Sequence, residues 1–269
     1  MRLPDWLDKY LFETLQARFH PVYSNMTVID WNKEQIRDYL GTYFPRSHVE
    51  SYTIFSRYLA SSSKLMDTTD ISILDFGSGT GGELFGLFQA LKEKRPNITQ
   101  IKVRVIEGNA DALRSYERIL CEWRKHTKTK IICSPSPIKI DDFYDLGILD
   151  ALFTEKFDII LSFKAVCEFV TKQQFETQNP YKHLAGFMMP KLSEKGMMVL
   201  ADISSKNEIA NEWIPDMMDL GLKDLKANVT HRNTGNNEIF TAHLQSSVFK
   251  LSKDLIDSIH EEGIVAYTS

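Results

Sequence analysis

One stretch limits what this chain can fold into more than any other: "ILDFGSGTGGE", residues 73–83. "ISILDF" (71–76) is a short apolar run with β-branched residues, which is how a strand buried on both faces of a parallel sheet reads. A cluster of glycines follows at once. "GGELFGLFQALKEK" then sets Leu84, Leu87, Phe88 and Leu91 on one helical face. A buried strand that enters a helix through glycines predicts a parallel strand with its crossover helix.

The alternation continues downstream. "IKVRVIEG" (101–108) reads as a second strand. The helix after it carries Leu113, Tyr116, Leu120 and Trp123 as its apolar stripe, with Asn109 as N-cap. A third strand is expected within 129–141, interrupted by Pro135 and Pro137. "FDIILSF" (157–163) and "KGMMVLADI" (195–203) read as the fourth and fifth strands, with a helix over 179–192 between them that stops before Pro190. Residues 238–252 read as two antiparallel strands or one long bent one, after a polar turn at 231–237. This order predicts an α/β fold with a doubly wound, mostly parallel sheet. Ligands of such sheets lie beyond the carboxyl ends of the strands, where the strand order reverses.

Residues 1–65 read differently. Leu3, Leu7, Leu11, Leu15 and Phe19 recur every four residues, an amphipathic helix. Ile36, Tyr39 and Leu40 mark a second helix, "YFPRS" (43–47) a break at Pro45, and Val49, Tyr52, Phe55 and Leu59 a third. The predicted organisation is an N-terminal helical cap (1–65) ahead of a ligand-binding domain (66–269).

Composition narrows the function. The net charge is −4 and the pI about 6.0, which is not the footprint of a general nucleic-acid binder. The three cysteines, Cys121, Cys133 and Cys167, form no C-x-x-C pair, so no metal site is expected and unpaired thiols in a reducing compartment are. No run is apolar enough to span a membrane, and Asp5, Asp8 and Glu13 are unlike a signal peptide. A cytoplasmic protein is the expectation.

Glycines permit positive φ and close approach of a ligand to the backbone, and the following helix aims free N–H groups at the site. A pyrophosphate or an amino-acid carboxylate suits such a turn. Gly77, Gly79 and Gly82 satisfy the dinucleotide pattern G-x-G-x-x-G. Asp75 stands two residues ahead of them, where an anion repels a pyrophosphate and attracts an ammonium group.

With Asp75 included, "ILDFGSGTGGE" resembles motif I of the class I S-adenosylmethionine-dependent methyltransferases, an acid followed by G-x-G-x-G, here Gly77, Gly79 and Gly81. "VRVIEGNADAL" resembles the second motif of that family, whose acid holds the ribose hydroxyls. Glu107 is that acid. The resemblance covers residues 71–203 and implies the Rossmann-like methyltransferase type of sheet. It implies cofactor contacts from Asp75, Gly77, Ser78, Gly79, Gly81, Glu107 and Gly108. "IKIDDFYDL" resembles the adenine-binding segment, which implies Asp142 for the amino group and Phe143 for the ring. "LSFKAVCEFV" stands where the fourth motif does, with Ser162 at the cofactor and Phe163 and Lys164 bordering the methyl acceptor. It is not N-P-P-Y, the form found in many enzymes that methylate amino groups of nucleobases or glutamine.

Other expectations come from the residues themselves. Tyr43 and Arg46 stand in the break of the cap, where Arg46 can reach a carboxylate bidentately; a surface or interhelix Arg46 is as good a reading. Lys164 and Glu168, four residues apart, are expected to pair with each other. His183 reads as a packed or surface histidine, and "WRKHTKTK" (123–130) as a solvated helix end. The implied function is methyl transfer from S-adenosylmethionine, with a small-molecule acceptor favoured over RNA or protein. A nicotinamide oxidoreductase and a non-catalytic cofactor-binding partner protein remain the alternatives. The sequence names no general base and no oligomeric state.

Overall fold

A computed structural model describes residues 3–20, 30–169, 178–203, 206–207, 211–229, 232–233, 237–241, 248–252 and 266–268. Of the polar turn read at 231–237, residues 231 and 234–236 lie outside them. The central strands are β1 (Asp70–Phe76), β2 (Gln100–Glu107), β3 (Lys130–Pro137), β4 (Phe157–Phe163) and β5 (Leu192–Asp202). All are parallel in the order 3-2-1-4-5, so the strand order reverses between β1 and β4. The doubly wound expectation holds.

Side-chain alternation along each strand builds two cores. Ile71 and Ile73 of β1 face one side with Val103, Val105, Ile159 and Leu161. Leu74 and Phe76 face the other with Ile106, Ile160 and Leu200. The crossover helices α4 (Gly82–Lys94) and α5 (Ala110–Trp123) cover the first face, α5 through the expected stripe of Leu113, Tyr116, Leu120 and Trp123. The short α6 (Gly147–Asp150) and α8 (Pro180–Met188) cover the second, with α9 (Ile214–Asp224), which sequence reading did not find. Between β4 and α8 lies a further short helix, α7 (Val166–Phe169).

The N-terminal helices are α1 (Asp5–Lys9, continued as a π turn over Tyr10–Thr14), α2 (Lys33–Thr42) and α3 (Phe44–Ser61). Leu3, Leu7, Leu11 and Leu15 are buried as the four-residue spacing requires, but Phe19 is 45% exposed because the helix has already ended. Pro45 does not only break the cap: it sits in the first turn of α3, where its missing N–H costs nothing. Leu40, Phe44, Ile54 and Phe55 join the same core as Leu84 and Phe88, so α3 lies directly on α4. Glycine permits this contact. A Cβ at Gly82 would lie 2.6 Å from the Phe44 carbonyl oxygen, and one at Gly86 would overlap that of His48.

β3 runs through Pro135 and Pro137, where an interruption was expected. It is the edge of the sheet and pairs on one side only, with Val105 opposite Pro135 and Glu107 opposite Pro137. An edge strand tolerates proline because the missing N–H can face away from the ladder. Towards the C-terminus, β6 (Lys206–Asn207) and β7 (Glu212–Trp213) form a small antiparallel pair. β8 (Arg232–Asn233) and β11 (Ala266–Thr268) extend the main sheet beyond β5, while β9 (Asn237–Thr241) and β10 (Val248–Ser252) form an antiparallel pair, the first of the two readings given for 238–252.

Candidate functional site

The glycine turn leaves the carboxyl end of β1 at the reversal point. Gly77, Gly79 and Gly81 have φ of 71°, 50° and 84°, a region that side chains disfavour, so the turn needs glycine at all three. Two N–H groups anchor it to β2: those of Gly77 and Ser78 donate to the Ile106 carbonyl at 2.9 and 3.3 Å.

Glu107, at the end of β2, holds the turn from above. Its Oε2 accepts the Gly79 N–H at 2.6 Å and its Oε1 the Asn109 N–H at 2.6 Å. Burial raises the pKa of Glu107, against the opposing pull of the Asn109, Gly79 and Gly108 amides. Each oxygen keeps lone-pair capacity beyond these bonds. Asn109 caps α5 as expected, accepting from Asp111 and Ala112, and its Nδ2 donates to the Trp31 carbonyl at 2.8 Å.

Asp75 is the unusual group. It is fully buried, and neither carboxyl oxygen has a hydrogen-bond partner among the described residues. Burial, then the charge of Glu107, raises its pKa well above the ordinary carboxylate range. Glu83, in the first turn of α4, is raised well above its ordinary value by burial and then by Asp75. Glu168 in α7 is raised by burial, then by Glu107 and Asp202. Asp202, ending β5, accepts from the Tyr181 hydroxyl (2.7 Å) and from the Cys167 and Ile203 amides (3.2 and 2.8 Å). Five carboxyl groups therefore gather at the carboxyl ends of β1, β2 and β5. Ser78, Thr80 and Ser162 add buried hydroxyls without a partner among the described residues. Among the described residues, no group of three acids, histidines or cysteines is placed to hold a metal ion.

Aromatic rings of the cap cover the turn. The Tyr39 hydroxyl lies over Gly79, where a Cβ would stand 3.1 Å from it. Tyr39 contacts Trp31 (ring centroids 5.7 Å) and Tyr43 (5.1 Å). Burial, then Glu168, Glu83 and Glu107, keeps its phenol protonated far above neutral pH.

The structure brings Asp75, Gly77, Ser78, Gly79, Gly81, Glu107 and Gly108 to one place, with Ser162 and Phe163 at the end of the neighbouring strand β4 and Lys164 directly after it. Asp142 is exposed, and its Oδ1 accepts the Tyr144 N–H at 2.9 Å. Phe143 is 1% exposed in the second core, 5.9 Å from the His183 ring. Arg46 donates from Nε to Glu50 one turn along α3 (3.0 Å). Lys164 does not pair with Glu168: its ammonium donates to Glu50. Sequence reading gave no functional part to Glu50, Glu83, Asp202, Tyr39 or Trp31. Glu83 alone had a signal, its place directly after the glycines.

No protein-family model matches the chain, and no curated protein does. Among solved structures it is similar to the plantazolicin methyltransferase BpumL in complex with SAH, at 17% identity and a TM-score of 0.40 over 96% of this chain and 68% of that one. It is similar to precorrin-6y C5,15-methyltransferase from Geobacter metallireducens, at 11% identity and 0.41, over 74% and 82%. It is also similar to the CcbJ methyltransferase from Streptomyces caelestis, at 13% identity and 0.33, over 56% of this chain and under half (47%) of that one.

Proposed function

We propose that this chain is an S-adenosylmethionine-dependent methyltransferase acting on a small molecule. The observation that carries the reading is Asp75, a fully buried carboxyl group with no hydrogen-bond partner among the described residues, at the start of a glycine turn. Removing such a group from water without a partner is costly, and a cation supplied by a ligand offsets the cost. The surrounding Glu83, Glu107 and Glu168 favour the same sign. A dinucleotide would bring two phosphate charges into this crevice, whereas S-adenosylmethionine carries an ammonium and a sulfonium with one carboxylate.

The residues divide the work by position. Glu107 holds Gly79 and Asn109 and has lone pairs left for two ribose hydroxyls. Asp75 and Glu83 set the negative field at the start of α4. Trp31, Tyr39 and Tyr43 exclude water above the turn. The cofactor supplies a methyl group that its sulfonium already makes electrophilic, so the protein's task is to hold an acceptor in line in a dry site. Ser162, at the end of β4, and Lys164, directly after it, would border that acceptor. The weakly acidic charge favours a small acceptor over RNA.

The test is to incubate the protein with methyl-labelled S-adenosylmethionine and the small-molecule, RNA and protein fractions of a cell extract. Label entering the small-molecule fraction is expected. Label confined to RNA or protein overturns the acceptor class, and label in no fraction overturns the activity.

A further inference from the structure

A second cleft lies at the other end of the sheet from the glycine turn. Its volume is about 440 Å³, within the range of small-molecule sites. Phe88 and Leu91 of α4, Ile98 and Ile101 at the start of β2, Trp123 ending α5 and Ile131 of β3 give it an apolar floor. The cleft therefore sits by the amino ends of β2 and β3, where α4 and α5 finish. α4 runs to it from the glycine turn over 13 residues, a length of about 20 Å.

The rim is basic. The stretch 123–130, read from the sequence as a solvated helix end, brings Lys125, His126 and Lys128 to one side, and Lys92 of α4 stands on another. Among the described residues no aspartate or glutamate lines the cleft, in a chain whose net charge is −4. Some of these cations are already matched. Lys125 donates to Glu122 at 2.6 Å, and His126 Nε2 stands 3.5 Å from the same carboxylate. Arg95, also in the lining, gives its guanidinium to the carbonyls of Leu59, Ser62, Lys64 and Lys94. Lys92 and Lys128 are exposed and form no ion pair among the described residues. Lys92 donates to the His126 carbonyl at 2.9 Å and keeps two further N–H donors.

The walls are fixed in place. The Lys92 bond ties the end of α4 to the turn over Arg124–His126. Arg124 donates to the Ile131 carbonyl at 2.9 Å, and the Thr129 hydroxyl to that of Ile98 at 3.3 Å. Trp6 of α1 stacks on the His126 ring, with centroids 4.0 Å and planes 9° apart. A preformed cleft binds without first having to order its walls.

We propose that this cleft binds a small amphipathic anion, its apolar body on the floor and its anionic head between Lys92 and Lys128. An apolar floor alone suits a neutral ligand, and a basic rim alone suits any phosphate. The two together select a molecule that has both parts. A nucleic-acid backbone would leave the floor uncovered and would meet a negatively charged chain. The site is separate from the crevice of Asp75 and Glu107, whose acids repel such a ligand.

The test is fluorescence titration of the full chain with anilinonaphthalene sulfonate and with N-phenylnaphthylamine, which has the same apolar body and no sulfonate. The wild type is expected to bind the sulfonate about five-fold or more tightly than the neutral probe. The double variant Lys92→Gln, Lys128→Gln weakens the sulfonate by about that factor and leaves the neutral probe within about two-fold. The control Lys33→Gln, Lys223→Gln, at two exposed lysines of α2 and α9, changes the net charge equally and moves neither. Equal binding of the two probes by the wild type, or a sulfonate affinity that does not distinguish the two double variants, overturns the proposal. Displacement of the sulfonate by a single-stranded oligoribonucleotide, lost in the Lys92 and Lys128 variant, also overturns it and makes the cleft part of an RNA-binding surface.

Discussion

His48 offers a quantitative check on how α3 is seated. It is 1% exposed, and neither ring nitrogen has a partner among the described residues. Burial pushes its pKa down to about 3 from an ordinary 6.5. The folded protein therefore keeps the ring neutral while the unfolded chain protonates it below 6.5. Stability from this residue is complete above pH 6.5 and is lost progressively as pH falls from there towards 3. At pH 5 the loss is about 2 kcal/mol, and at pH 7.5 it is close to nil. Leucine is the test substitution, since it fills similar space and does not titrate. Asp75, Glu83, Glu107 and Asp202, whose raised pKa values act in the opposite direction, are common to both proteins and cancel in the difference. His48→Leu should thus be more stable than wild type by about 1–3 kcal/mol at pH 7.5, because it removes an unsatisfied buried N–H. At pH 5 the gap should widen by about 2 kcal/mol. Urea unfolding of both proteins at the two pH values measures this. A gap that does not change with pH, or that narrows, refutes the burial of a neutral His48.

The close approach of α3 and α4 should make Gly86→Ala destabilising by about 1–3 kcal/mol, since its methyl group must displace the His48 carbonyl; an unchanged urea midpoint would contradict the packing. Asn109→Ala removes the cap of α5 and the bond to Trp31, a loss of about 1–2 kcal/mol by the same assay. Gly81→Ala adds a side chain at a φ of 84° against the Tyr116 ring, and should lower stability and cofactor affinity together, as melting temperature and titration would report.

The layout of the sheet was legible because it rests on local periodicity. β1, β4 and the stripe of α5 follow directly from their apolar spacing, and the cap at Asn109 from its residue type. β3 was obscured because proline is read as a breaker, while its tolerance depends on which strand forms the edge, a property of the whole sheet. The site divided the same way. Asp75, the glycines and Glu107 lie at the ends of adjacent strands, so motif spacing finds them. Lys164 was matched to Glu168 by helical spacing, yet its partner Glu50 lies 114 positions away. Only the docking of α3 on α4 brings that pair together, as only the docking of α2 brings Tyr39 over Gly79. Phe143 has the residue type a ring contact needs, but lies in the core among Ile106, Leu146 and Leu149.

The central claim is that the acid-lined turn binds S-adenosylmethionine and not a dinucleotide. Calorimetric titration of the wild type and of Glu107→Ala with S-adenosylhomocysteine and with NADH tests it most directly. The account expects S-adenosylhomocysteine to bind the wild type, to bind the variant far more weakly, and NADH to bind neither. NADH bound by a wild type that ignores S-adenosylhomocysteine would contradict it.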